Sequence, residues 1–454
     1  MEMEALLTQQ RAWFRTGATL GSTARKKALE ALYQAVKNME GDIALALERD
    51  LGKAPCESYL CETGLVLHEI RYHLAHVKRW MSPSPGPVPW LHFPAHSEIR
   101  PRPLGLSLII SPWNYPFHLC LMPLIGALSA GCCAVVKPSE YAPATAQVVE
   151  RVLKRALPRE QAAVVQGGRE ETEKLLEQPF DHIFFTGSQA VGRVVMGAAA
   201  KNLTPVTLEL GGKSPVILDR TADLKMAARR IAFGKVLNAG QTCVAPDYLL
   251  LEQGLQEQFL IHYRAALDDF FPGGNLDQMA RMVSRRHFEE KKKLLAGQNA
   301  AIGGGWDDGA GKISPTVLVD VDPSSPVMQE EIFAPILPVI PWRTLDEAIA
   351  FVRDRPRPLA LYLFTRDKGV ERRVLGECDF GGGCVNDTVI HLASPGLPFG
   401  GVGPSGMGQY HGKYSFDAFS HPQAIVRRGS RPHIPVRDLP YTGGKERLAR
   451  WMLR

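Results

Sequence analysis

The chain has 454 residues, enough for two or three domains at roughly 150 residues each. Apolar residues make up 45% and charged residues 22%, an ordinary globular balance that excludes wholesale disorder. Fifty-three basic against 47 acidic side chains leave +6, too small a surplus over this length to indicate a nucleic-acid binder.

The 42 glycines and 34 prolines follow no fixed period and indicate many turns rather than a fibre. Eight cysteines without a CxxC pair do not form a disulfide framework, and favour a reducing, cytoplasmic setting. The start, Met1-Glu2-Met3-Glu4, is acidic and leads straight into an amphipathic pattern, unlike a secretory signal. Residues 103–136 contain no Asp, Glu, Lys or Arg. Pro112, Pro116, Pro123, Gly126 and Gly131 interrupt them, so a buried strand, loop, helix and strand are expected rather than a membrane span.

In chain order, residues 22–50 carry apolar positions at helical spacing (Leu29, Leu32, Val36, Met39 and Ile43). A second helix is expected over 58–80, stopped by the Pro-rich 82–89, with an extended excursion to 103. Short apolar runs then alternate with helical stretches: 106–110, 134–136, 162–165, 182–185, 206–210 and 216–218 against helices near 143–157, 170–177 and 190–200. The alternation resumes with a helix at 222–237, a strand at 248–252 and a helix at 255–270. Strands near 316–319, 335–340 and 359–364 and a helix at 344–353 follow. Such texture argues for two consecutive α/β units of parallel strands covered by helices, meeting near Glu209.

Some motifs fail on context. Gly401-Val402-Gly403-Pro404-Ser405-Gly406 fits GxGxxG but shows no strand before it or helix after it. Gly212-Lys213-Ser214 lacks the earlier glycine of a P-loop, because Thr207 stands there. His68, Glu69, His73 and His76 share a helix at a spacing wrong for zinc, and read as a solvated face; no metal site is expected. No GxSxG elbow occurs.

Two segments remain. Cys243, in Asn238-Ala239-Gly240-Gln241-Thr242-Cys243-Val244-Ala245-Pro246, lies in a loop between a helix and a strand. It is either a nucleophile or an inert buried thiol. Glu209 ends an apolar strand just before Gly211-Gly212 and is either a structural anion or a general base with a raised pKa.

With others, these segments closely resemble the aldehyde dehydrogenase superfamily, and within it the shorter class-three branch. The matching stretches run in the family's order over nearly the whole chain. They are Ser111-Pro112-Trp113-Asn114-Tyr115-Pro116-Phe117, Lys137-Pro138-Ser139-Glu140, Phe185-Thr186-Gly187-Ser188 with Gly192, and Glu209-Leu210-Gly211-Gly212-Lys213. The Cys243 segment, Glu330-Glu331-Ile332-Phe333-Ala334-Pro335, and Leu397-Pro398-Phe399-Gly400-Gly401-Val402-Gly403 complete them. The last continues through Ser405-Gly406-Met407-Gly408 to Tyr410-His411-Gly412-Lys413, a run typical of the class-three branch.

The resemblance implies two Rossmann-like, doubly wound α/β domains with a small β oligomerisation arm. Residues 1–81 and 104–208 would bind cofactor, 209–386 would be catalytic, 82–103 and 387–430 would form the arm, and 431–454 a basic tail. It also implies NAD- or NADP-dependent oxidation of an aldehyde to a carboxylic acid. Cys243 would attack as thiolate, Asn114 and the Cys243 N–H would form the oxyanion hole, and Glu209 would activate the water that hydrolyses a thioester. Gly187 and Ser188, opening a helix with Gly192, would meet the pyrophosphate together with Trp113. Lys137 and Glu140 would contact the adenine ribose, Glu331 the nicotinamide ribose, with Phe333 and Leu210 beside it.

Three departures stand out: Ala334 replaces a usual Gly, Cys132 a common Asn, and Pro123 the ribose-binding Lys of many classical members, which class-three relatives also lack. A CoA-acylating relative is the nearest alternative, disfavoured by Glu209, and a silent scaffold is disfavoured by intact Cys243, Asn114 and Glu209. Tyr59, Leu60, Tyr115, His118 and Leu119 suggest an apolar substrate tunnel for medium-chain aliphatic or aromatic aldehydes. A homodimer is implied. From Arg427 to Arg454 eight basic residues face two acidic ones. Leu448, Trp451 and Met452 fall at helical spacing there, beside Arg447, Arg450 and Arg454. This tail is expected to be solvated or to pack on a partner subunit, weak contact with anionic lipid being the alternative.

Overall fold

The computed structural model describes residues 2–453 except Pro432 and Ile434. Two sheets set the architecture. The first has six strands, ordered from edge to edge Gly406–Met407, Val206–Glu209, His182–Thr186, Leu106–Ile110, Cys133–Lys137 and Ala162–Val164. All pair in parallel except the short Gly406–Met407. The second has seven, in the order Asn299–Ile302, Thr316–Val319, Ile336–Trp342, Tyr248–Glu252, Pro215–Leu218, Ala360–Phe364 and Gly382–Val385. Only Asn299–Ile302 runs antiparallel there.

The strands are continuous apolar runs because both faces are covered. In Leu106–Ile110 every residue is buried; Leu106, Leu108 and Ile110 pack into one core and Ile109 into another on the opposite face. The charge-free stretch after it does contain one helix, His118–Ala130, buried along its whole length and ended by Gly131 at φ 90°. Among the described residues no helix is long and apolar enough to cross a membrane.

Two expected helices differ in detail. The pattern over 22–50 is two helices, Ser22–Asn38 and Glu40–Leu51, broken where Met39 turns to ψ 15° and its N–H bonds Val36 O. The apolar spacing runs through the break because both helices bury into one core. The helix expected over 58–80 begins at Pro55 and contains a π turn, Tyr59–Thr63, before Gly64–Trp80. The helix face with His68 and His76 is not wholly solvated. Glu69 and His73 are buried, and Glu69 Oε1 meets His73 Nε2 at 3.1 Å and the Gly412 N–H at 2.5 Å. Among the described residues no group of three or more His, Cys, Asp or Glu is placed to hold a metal.

A third sheet joins Ser84–Gly86, Ala95–Pro103 and Ser420–Arg428, with Ser420–Arg428 leaving an open edge. The tail forms a helix, Gly443–Met452, capped by Thr442, whose Trp451 packs edge-on against Trp90 at 5.7 Å. Leu448 and Trp451 are exposed, and Arg454 lies outside the described residues.

The failed GxGxxG run has a structural role. Gly406–Met407 pairs with Val206–Glu209, and Ser405 O accepts the Leu210 N–H at 3.1 Å, so this run buttresses the end of the Glu209 strand.

Replacing Leu108 by Ala leaves a cavity at the centre of the first sheet and is expected to cost about 2–5 kcal/mol. A urea titration checks this: the midpoint falls, whereas an unchanged midpoint would show the strand to be loosely packed.

Candidate active site

Strand order fixes where a ligand can sit. In the first sheet the chain runs outward from Leu106–Ile110 through Cys133–Lys137 and Ala162–Val164, then crosses back to His182–Thr186 on the other side. That reversal opens a crevice beyond the carboxyl ends of Leu106–Ile110 and His182–Thr186. Trp113 and Asn114 follow the first of these strands, Gly187 and Ser188 the second, and Glu209 closes the next. From the second sheet, Cys243 precedes Tyr248–Glu252, while Glu331 and Phe333 precede Ile336–Trp342. Carboxyl ends of one sheet thus face amino ends of the other across one cleft of about 870 Å³.

Cys243, Glu209 and Asn114 all line this cleft. The Cys243 loop is held by three consecutive left-handed residues, Asn238 (φ 51°), Ala239 (φ 53°) and Gly240 (φ 72°). A Cβ at Gly240 would stand 2.4 Å from the Ala334 carbonyl, so only glycine fits. Asn114 Nδ2 donates to Gln241 O at 3.0 Å, and the Tyr115 and Thr242 hydroxyls meet at 2.6 Å. The Gln241 side chain donates to Asn238 O and Arg281 O, both at 3.0 Å, and accepts the Val283 N–H. Tyr362 donates to Val244 O at 2.6 Å. The loop is anchored on both sides of Cys243.

Electrostatics separate the groups. Both carboxylate oxygens of Glu209 are buried without a hydrogen-bond partner, and burial raises its pKa well above the usual carboxylate range. Glu331 is likewise pushed up to about 8, first by burial and then by Asp247, with Oε1 unpartnered. Burial, and then the Glu331 and Glu209 charges, raises the Cys243 pKa. Cys243 is half-buried and shares the cleft with these two acids, surroundings that favour its thiol form over the thiolate.

The expected cofactor residues divide. Trp113, Gly187, Ser188, Leu210, Glu331 and Phe333 line the cleft. Ser188 caps the helix Gln189–Ala200, its Oγ accepting the Val191 N–H, and Gly187 N–H bonds Glu209 O at 3.0 Å. Trp113 stands edge-on to Phe333 at 5.5 Å. Gly192, Lys137 and Glu140 do not line it. Gly192 packs beneath Leu210, whose Cδ2 would lie 2.7 Å from an added Cβ. The Lys137 ammonium donates to Pro138 O at 2.9 Å and Gly167 O at 2.7 Å, and Glu140 lies against Gly168. Of the expected tunnel residues only Leu119 reaches the cleft; Tyr115 and His118 are buried and Tyr59 and Leu60 exposed on the π turn.

Sequence reasoning missed several wall residues, among them Arg193, His287, Lys291, Arg355 and Arg357. His287 comes from the helix Arg285–Lys292, whose single buried residue, Phe288, gives no periodic signal. Lys213, rejected as a P-loop lysine, ties the Glu331 segment down through Asp247 at 2.5 Å, Val327 O at 2.9 Å and Glu330 O at 2.8 Å.

The cleft suits a dinucleotide. It is of the size that small-molecule sites reach, a helix N-terminus opens into it, and Glu331 offers an unsatisfied oxygen.

Comparison with known proteins agrees. The aldehyde dehydrogenase family model matches residues 1–425. A 4,4'-diaponeurosporen-aldehyde dehydrogenase of Staphylococcus aureus (strain NCTC 8325 / PS 47) is 46% identical over 446 residues, 97% of either chain. An "Aldehyde dehydrogenase, dimeric NADP-preferring" of Rattus norvegicus is 44% identical over 416 residues, 91% of this chain and 92% of its own. A solved structure described as the substrate-bound state of Staphylococcus aureus AldH superposes with a TM-score of 0.97 at 44% identity, covering 100% of this chain and 99% of that one. The chain belongs to the aldehyde dehydrogenase family.

Proposed function

We propose that this aldehyde dehydrogenase converts an apolar aldehyde to its carboxylic acid through a thiohemiacetal and then a thioester on Cys243. The observation that carries the reading is Glu209: a buried carboxylate with two unpartnered oxygens, in one cleft with Cys243 and Asn114. Such a group is a proton acceptor waiting for a donor. Cys243 gives up its proton to solvent, and Sγ adds to the aldehyde carbon. The developing alkoxide is met by the second N–H of Asn114 Nδ2, whose first is spent on Gln241 O, and by the Cys243 backbone N–H. When bound, a nicotinamide cofactor supplies the hydride acceptor that turns the adduct into a thioester. Glu209 then draws a proton from water, which adds to the thioester carbonyl; collapse releases the acid and returns Cys243 to the thiol. A CoA-transferring second half would have no use for this base.

Glu331, Trp113, Phe333 and the Ser188 helix terminus would hold the cofactor, with Lys137 and Glu140 bordering the adenine ribose. Glu140 favours a ribose 2′-hydroxyl, while the rat relative's name prefers NADP, so both NAD and NADP stand in the proposal. The staphylococcal relative's named aldehyde supports an apolar substrate, in keeping with Leu119 in the wall.

Glu209→Gln is expected to give one burst of reduced cofactor per active site followed by stalled turnover in stopped-flow absorbance. Because burial raises the Glu209 pKa and only the ionised base works, wild-type deacylation should climb with pH and level off above that pKa. Steady turnover in Glu209→Gln, or a pH-independent wild-type rate, would remove Glu209 from the role.

A homodimer follows from the open Ser420–Arg428 edge, since an unpaired strand is a template for a second chain, and the rat relative is named dimeric. Sedimentation at micromolar concentration should give twice the chain mass of 50.0 kDa; a single-chain mass would refute it.

A further inference from the structure

Lys53 and Glu62 have fully buried side chains, at 0% exposure each, and neither lines the cleft. A buried ion pair pays heavily in lost hydration and is a weak source of stability, so its contacts indicate its use. Both partners turn toward the segment that carries Asn114. Lys53 Nζ stands 2.5 Å from Glu62 Oε1 and donates to Asn114 O at 2.9 Å. The other Glu62 oxygen accepts the N–H groups of Phe117 and His118, each at 2.9 Å. The ammonium also lies 4.1 Å from the centre of the Tyr115 ring. Glu62 reaches this position from the π turn Tyr59–Thr63, an irregularity that often re-aims a side chain at a functional site.

The same stretch also holds the nucleophile loop. Glu57 Oε1 accepts the Asn238 N–H at 2.7 Å, at the start of the left-handed turn. Asn238 Nδ2 then bridges Asn114 O at 2.8 Å and Gln241 O at 3.0 Å. Asn114 O is gripped from two directions, by Lys53 and Asn238. One N–H of Asn114 Nδ2 is fixed on Gln241 O, so the aim of the other depends on where the Asn114 backbone stands.

We infer that Lys53, held by Glu62, is a positioning residue for the oxyanion hole: it fixes the Asn114 backbone so that the free amide N–H faces the reacting carbonyl oxygen. This rests on the covalent mechanism proposed above. Displacement of a donor by about 1 Å costs up to roughly 100-fold in rate, less than the 100- to 1,000-fold for deleting one outright.

The test compares wild type with Lys53→Met, Lys53→Ala, Glu62→Gln and Asn114→Ala. It measures the burst rate of cofactor reduction with an aldehyde, alkylation of Cys243 by iodoacetamide, and cofactor affinity. Alkylation forms no oxyanion, so it reports thiol reactivity alone. Lys53→Met should slow the burst roughly 10- to 100-fold, toward Asn114→Ala, with alkylation and cofactor affinity within about twofold of wild type. Added methylammonium should partly restore Lys53→Ala but not Asn114→Ala. If Lys53→Met does not fold, the near-isosteric Glu62→Gln, with a smaller slowing in the same direction, carries the test. A wild-type burst in Lys53→Met beside a slow Asn114→Ala overturns the inference. So does a parallel loss of burst and alkylation without amine rescue, which marks a merely structural pair. A wild-type burst in Asn114→Ala overturns the oxyanion assignment itself, and the inference with it.

Discussion

Burying a carboxylate without hydrogen-bond partners costs several kcal/mol, roughly, and a protein tolerates it only where the surroundings over-determine the geometry. In this cleft Glu209 and Glu331 both present unpartnered oxygens, and Cys243 stands among them. The surrounding structure follows from supporting that arrangement. Two sheets meet end to end so that no single element carries all three groups. The left-handed turn before Cys243, the Lys213–Asp247 tie on the Glu331 segment and the buttress behind Glu209 each fix one of them. Desolvation raises the pKa of Glu209 and of the Cys243 thiol alike, so it favours the proton-bound form of each.

The same burial divides labour between the sheets. Residues at or just beyond the carboxyl ends of first-sheet strands (Asn114, Ser188 and Glu209) carry the proposed oxyanion donor, a helix N-terminus and the proposed base. Residues that precede strands of the second (Cys243, Glu331 and Phe333) carry the proposed nucleophile and its surroundings. A shift of one sheet against the other would part Glu209 from Cys243. The long-range bonds that cross between them, such as Asn114 Nδ2 to Gln241 O and Tyr115 to Thr242, therefore matter beyond their modest individual strength.

The strand-and-helix alternation was readable because its strands are apolar on both faces, and Cys243, Glu209 and Asn114 stood out by their setting between elements. Other features left no local trace. Arg285–Lys292 buries one residue, so its helix carries no periodic stripe, and His287 entered the cleft unannounced. The break at Met39 was hidden because helices on either side share one core. Lys53 and Glu62 look like ordinary surface charges in the sequence, and only the fold brings them against the Asn114 backbone. The acids beside Cys243 were hidden for the same reason: the sequence shows a loop, but not that Glu209 and Glu331 share its cleft.

The central claim is that the acyl group passes through Cys243 and waits there for Glu209. Its most direct test is mass spectrometry of Glu209→Gln quenched in acid after mixing with cofactor and an aliphatic aldehyde. The account predicts a mass increase equal to the acyl group, mapped by proteolysis to the peptide that contains Cys243. An unmodified chain after cofactor reduction, or an adduct on one of the other seven cysteines, would contradict it.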